Sequence, residues 1–200
     1  MIEAVVKGGL TTLIDNPLDS SHEGVQDLLK KKHAVDDFLA DLDIPLHYFL
    51  YSKANSKYIE EVGENRSVIK GCLISLTSDH QELDEHAWDR IFQRAAWEDL
   101  PVVINLRAEN AWEQIDKNLD LNFLEKTIHY AEKQNTRLYV LNVATQEVLG
   151  LIQEARARSL LIYAETTLQY LFPKNASQAD FLWDALNRGT IETIGSGYQF

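Results

Sequence analysis

Two hundred residues, 45% hydrophobic and 25% charged, are enough to bury one substantial core, and the chain reads as a single domain over 1–200. Nineteen Lys and Arg against 31 Asp and Glu give a formal charge of −12, a balance that repels nucleic acid and anionic membrane surfaces. No apolar run nears the roughly 18–20 residues that span a bilayer. The opening Met1-Ile2-Glu3-Ala4-Val5-Val6 lacks secretory-signal features, and the single cysteine, Cys72, excludes an internal disulfide framework, so the expected compartment is the cytoplasm.

Short β-like runs alternate with longer amphipathic stretches along the chain. Predicted strands are Leu10–Asp15, Leu46–Tyr51, Ser67–Leu76, Val102–Asn105, Arg137–Asn142, Leu160–Ala164 and Thr190–Ile194. The stretches between them read as helices. Lys30-Lys31-Lys32, beside Asp36 and Asp37, is expected to be a solvated helix face. Ser52–Asn65 is the most loop-like segment, with a turn of helix expected at Tyr58–Glu61. Glu85–Glu98 sets Trp88, Ile91, Phe92, Ala95 and Ala96 at three- and four-residue spacings, which makes one apolar face. Leu121–Lys133 does the same with Leu121, Leu124, Ile128 and Ala131. Thr145–Arg158 follows with Val148, Leu149, Ile152 and Ala155, and Thr145 is placed to cap it. Asp180–Leu186 is a last short helix, closed by Gly189 in a left-handed C-cap. This βαβα order predicts an α/β fold with a mainly parallel sheet. A flavodoxin-like sheet is compatible with the alternation, but seven strands point to a barrel one strand short of eight.

Polar residues at the carboxyl ends of such strands are where a parallel barrel keeps its chemistry. Asn105 closes Pro101-Val102-Val103-Ile104, and Asn142 closes Leu138-Tyr139-Val140-Leu141. Asp15 ends the first predicted strand, either as a ligand contact or as a structural cap. Arg107 and Glu109 follow Asn105, and they suit either a small anion or a rim ion pair. Glu165 follows the sixth predicted strand, either to orient a ligand or only as part of the local sequence motif. The six histidines (His22, His33, His47, His80, His86 and His129) form no His-x-His or His-Glu-x-x-His pattern. His80 and His86, with Asp79, Glu82, Asp84 and Glu85, read as a solvated loop leading into a helix start. His47 is expected to be half-buried and Cys72 to be a buried, inert thiol. No phosphate-binding glycine loop is present.

Three stretches, in chain order, resemble the cyclic amidohydrolases, the metallohydrolase barrels that include dihydroorotase, hydantoinase and allantoinase. Gly8-Gly9-Leu10-Thr11-Thr12-Leu13-Ile14-Asp15-Asn16-Pro17-Leu18-Asp19-Ser20 is similar to the family's second strand, closest to allantoinases. Its paired glycines are expected to let a helix end approach the strand closely. Arg137–Phe172, with Ala144-Thr145-x-Glu147 and Ala164-Glu165-Thr166-Thr167-Leu168-Gln169-Tyr170-Leu171, resembles the sixth and seventh strands. Leu182-Trp183-x-Ala185-Leu186-x-x-Gly189-Thr190-Ile191-Glu192-x-Ile194-Gly195-Ser196 resembles the approach to the eighth.

The resemblance implies a TIM-type (β/α) barrel that is incomplete, lacking the first strand and the last helix, with about seven strands. In the family two divalent metals, commonly zinc, polarise a cyclic amide and supply hydroxide. The ligand positions it implies are vestigial here. Asn105 and Asn142 stand where the family has histidine, and Gly197 stands where it has aspartate. The carboxylated-lysine position falls on Lys70 in one alignment and on Leu73 in another. Asparagine is a weak donor to Zn²⁺ beside imidazole, so no resident metal is expected.

The expected function is therefore a degenerate amidohydrolase-like scaffold that binds or interacts without hydrolysis. The rival is an active cyclic-amide hydrolase completed by a partner chain. A third reading takes Pro101–Asp116 as similar to TatD-type metal-dependent nucleases, which carry histidine where Asn105 stands and an arginine where Arg107 stands. Open barrel edges leave three outcomes: closure of a smaller sheet, a homo-oligomer, or association with a different protein.

Overall fold

The computed structural model describes residues 8–15, 24–55, 59–76, 83–106, 117–172 and 179–196. Its strands are β1 (Thr12–Asp15), β2 (His47–Lys53), β3 (Ile69–Ser75), β4 (Val102–Asn105), β5 (Leu138–Leu141), β6 (Ile162–Thr167) and β7 (Thr193–Gly195). Helix α1 (Val25–Asp41) follows β1, α2 (Ile59–Glu64) follows β2, α3 (Glu85–Trp97) follows β3, and α4 (Lys117–Gln134) follows β4. Helix α5 (Gln146–Ala157) follows β5, and α6 (Leu168–Leu171) and α7 (Asp180–Asn187) lie between β6 and β7.

Five of these helices end by one device. The residues Asp43, Asp99, Asn135, Ser159 and Gly189 take left-handed backbone angles, with φ of 51°, 53°, 53°, 72° and 68°. The amide after each then bonds back into the last turn: Ile44 to Leu39 O, Leu100 to Ala95 O, Thr136 to Ala131 O, Leu160 to Ala155 O and Thr190 to Ala185 O. This reversal satisfies otherwise orphaned carbonyls and aims the chain back toward the sheet. Only Gly189 advertises it in the sequence, since aspartate, asparagine and serine also occur in ordinary loops. At the other ends, Asp84 caps α3 by accepting from Ala87 N at 2.7 Å, and Thr145 caps α5 by accepting from Val148 N at 3.3 Å.

The strands pair in sequential order, β1 to β7, and every pairing is parallel. One sheet face packs against the helices in a single large core that joins Leu50, Cys72, Ile74, Val102, Ile104, Val140 and Ala164 to Trp88, Leu124 and Ile152. The opposite face carries a small cluster of Tyr51, Leu73, Val103 and Leu141 with Tyr139, all of them strand residues. Helices on one face and sequential order exclude the flavodoxin-like arrangement, which covers both faces. The architecture is an incomplete TIM-type (β/α) barrel, a curled sheet with no β1–β7 pairing among the described residues.

Several expectations need correction. β2 runs on through Ser52 and Lys53, which the sequence reading gave to a loop, because Ala54 N still bonds Leu73 O at 2.7 Å across the sheet. β6 extends to Thr167, past the expected end at Ala164. The last strand begins at Thr193 rather than Thr190, since the amides of Thr190 and Ile191 both bond Ala185 O and so belong to the close of α7. The lysine run is not uniformly solvated. Lys30 is open to solvent, but the Lys31 ammonium sits 2.8 Å from Asp15, and Lys32, paired with Asp36, has a side chain only 14% exposed. His47 is exposed rather than half-buried. A Cβ on Gly9 would meet nothing within 4 Å among the described residues, so that glycine serves its φ of +82° and not a close approach.

Candidate functional site at the carboxyl ends of the strands

Parallel pairing brings the carboxyl ends of β3, β4 and β5 level, with Ser75 opposite Asn105 and Asn105 opposite Leu141. Asn105 is 1% exposed and lies on the face away from the helices. Strand alternation would turn residue 142 to the helix side. Asn142 instead takes a left-handed φ of 63°, which asparagine tolerates better than most residues, and its side chain swings back. Its Nδ2 then donates to Asn105 Oδ1 at 2.7 Å. The two strand-end amides are thus joined by a direct hydrogen bond.

A second, partly buried polar network joins the last three strands. Tyr139 Oη donates to Glu165 Oε2 at 2.7 Å and lies 2.9 Å from Thr193 Oγ1, which links β5, β6 and β7 across the concave face. Burial raises the pKa of the Glu165 carboxyl, and the bond from Tyr139 opposes that rise. Burial and then the neighbouring Glu165 likewise hold the Tyr139 and Tyr51 phenols above their ordinary range. Gly195 lies against the same carboxyl, so that a Cβ there would collide with Glu165 Oε1. Thr167, also fully buried, has a hydroxyl with no hydrogen-bond partner among the described residues.

The remaining candidates scatter. Asp15 accepts from Tyr48 Oη at 2.6 Å and pairs with Lys31, fastening α1 to β1. Lys70 sits at the amino end of β3, where its ammonium donates to Arg66 O at 3.1 Å and lies 4.4 Å above the Phe49 ring. Leu73 is on the concave face of β3, in register with Val103. Gly197, Arg107, Glu109, His80, Asp79, Glu82 and His22 lie outside the described residues. His33, His86 and His129 are exposed. Cys72 is fully buried, and burial pushes its thiol up to about 12. Thiol-specific reagents are accordingly expected to leave Cys72 unmodified in the native protein and to label it in urea; rapid native labelling would contradict the packing.

Sequence reasoning missed Tyr139, Thr193 and Gly195. Tyr139 counted as one more apolar strand residue, and nothing local ties it to a carboxyl 26 positions away. The alternation of β6, with Glu165 between the small residues Ala164 and Thr166, was the one available signal.

A binuclear metal centre needs several anionic or imidazole donors converging on one point. At the two strand ends that the resemblance assigns to histidine, the groups are amides bonded to each other, and among the described residues no three His, Cys, Asp or Glu side chains come together. The described residues do not fit that group.

The fold places the chain among the (β/α) barrels. Within that class its similarity is to cyclic-amide hydrolases. It superposes on the dihydropyrimidinase of Brevibacillus agri NCHU1002 with a TM-score of 0.74 at 19% identity, over 98% of this chain and 52% of that one. The L-hydantoinase of Arthrobacter aurescens gives 0.74 at 18% identity with the same coverage, and a D-hydantoinase gives 0.75 at 18%. At such identities the likeness is one of fold. The chain spans about half the length of these structures. No protein-family model matches it.

Proposed function

We propose that this chain is a degenerate relative of the cyclic amidohydrolases, related to dihydroorotase and allantoinase, which keeps the barrel scaffold without metal-dependent hydrolysis and serves as a binding or interaction module. The observation that carries this reading is the 2.7 Å bond between Asn142 Nδ2 and Asn105 Oδ1. Where a hydrolase presents lone pairs to a metal, here an amide N–H of Asn142 occupies the side-chain oxygen of Asn105, and amides are weak metal donors beside imidazole. The fold likeness to hydantoinases and the motif order from Gly8 to Ser196 support the ancestry.

The interaction role draws on the sheet edges. β1 and β7 each present an unpaired parallel edge among the described residues, and proteins normally cover such edges. A second copy or another protein is the proposed cover, and light scattering over a concentration series distinguishes self-association from a heterologous partner. Among the described residues no helix is long and apolar enough to cross a membrane, and a cytoplasmic location fits the single reduced thiol.

The test is metal analysis of the purified protein together with hydrolysis assays on hydantoin, dihydroorotate and allantoin. The expected result is substoichiometric zinc and no turnover above the uncatalysed rate. Stoichiometric metal with turnover would sink the proposal in favour of a hydrolase whose missing ligands come from elsewhere.

A further inference from the structure

β7 is a strand of three residues at the edge of the sheet, with Thr193 and Ile194 exposed, and little apolar burial holds it in place. What holds it is the pairing with β6, in which Glu165, Thr166 and Thr167 lie opposite Thr193, Ile194 and Gly195, together with the Tyr139–Thr193 contact and a Thr193 Oγ1 bond to Ala164 O; just before the strand, Glu192 is fixed by Arg156 and by the amide of Ala164. Gly195 lies so close over the Glu165 carboxyl that a methyl group would not fit between them. The backbone of β7 is therefore part of what shields that carboxyl from water.

We propose that β7 is a releasable lid on Glu165: it stays seated while the carboxyl is protonated and disengages when the carboxyl ionises, because Glu165 is only partly exposed beneath it and release lets more water reach the charge. The groups facing Glu165 agree with this. β5 contributes the Tyr139 phenol and β2 the Tyr51 phenol, while β7 contributes the Thr193 hydroxyl and the bare Gly195 backbone. The influences on Glu165 are burial and the Tyr139 bond, and among the described residues no cation acts on this partly buried carboxyl. A released β7 would leave the edge of β6 open along Glu165–Thr167, coupling exposure of an association edge to pH.

The sign follows from linkage. The seated state holds the Glu165 pKa above the value it has once hydrated, so seating is complete below the hydrated value. Seating weakens as pH climbs from there to the raised value and then levels off. Across that window the opening equilibrium is expected to grow by up to about tenfold per pH unit.

Amide hydrogen exchange of Thr193–Gly195, corrected for intrinsic exchange rates and read as a pH series on the full chain, tests this. The wild type is expected to lose protection through the window, Glu165→Gln to stay flat, and Tyr139→Phe to move the window to higher pH by removing the bond that favours ionisation. Gly195→Ala is expected to push the Glu165 carboxyl aside from β7 and so flatten the pH series, while the amides of β4 keep their protection as a control on folding. Equal slopes in the wild type and Glu165→Gln would overturn the proposal, as would a β7 unprotected even at the acidic end. Neither result depends on metal content or hydrolysis.

Discussion

Replacing Trp88 with alanine is expected to lower the unfolding free energy by about 3–5 kcal/mol, measured by urea titration, while Trp97→Ala changes it by no more than about 0.5 kcal/mol. Both residues lie on α3, and only their surroundings differ. Trp88 is 1% exposed, with ring centroids 5.8 Å from Phe92 and 5.4 Å from Tyr130 in stacked geometry and 6.1 Å from Phe123 edge-on. The Lys126 ammonium lies 4.4 Å over the same ring. The indole N–H has no hydrogen-bond partner among the described residues, so packing and the cation over the ring supply the hold. Truncation would open a cavity at the joint between α3 and α4. Trp97 is 81% exposed and has no such packing to lose. For a domain whose net stability is on the order of 5–15 kcal/mol, losing Trp88 would leave much of the chain unfolded at modest denaturant. A Trp88→Ala variant as stable as Trp97→Ala would mean that the α3–α4 joint is packed differently.

Asn105→Asp is expected to destabilise the protein by about 3–5 kcal/mol at pH 8 and much less at pH 4. The change keeps the shape and the acceptor that Asn142 Nδ2 uses, but it places a carboxyl in a site only 1% exposed. Burial raises that acid's folded-state pKa above its unfolded value. Stability is then fully present below the unfolded value, near 3.9, and drains away as pH rises through the folded one. Thermal melts of the variant and the wild type across that range would show the gap widening with pH. A constant gap would mean that the carboxyl is solvated or paired, and the buried amide pair would be wrong.

Much of the fold was legible because helical periodicity survives in single segments. The three- and four-residue spacing of Trp88, Ile91, Phe92 and Ala95 located α3 almost to the residue. Val102–Asn105 was placed correctly because a continuous apolar run bounded by Pro101 and a polar residue has few alternatives as a strand buried on both faces. The strand ends at β2, β6 and β7 were misjudged for a different reason. Where a parallel strand stops depends on whether its neighbour still offers a carbonyl, as Leu73 does to Ala54, and that neighbour is remote in sequence.

The candidate site divides along the same line. The sequence by itself determined the chemical character of the strand ends: asparagine at 105 and 142, with hydrogen-bonding amides in place of imidazole. It also supplied the fold class, since alternating β and α periods in one order admit few architectures. The tertiary structure alone decided what those groups do. A left-handed turn at Asn142 converts two separate amides into one hydrogen-bonded pair, and parallel register brings Tyr139, Glu165, Thr193 and Gly195 together from three strands. The physical reason is range: periodicity and residue chemistry act within a few positions, whereas burial of a carboxyl and satisfaction of an amide are set by whichever strands the fold lays alongside.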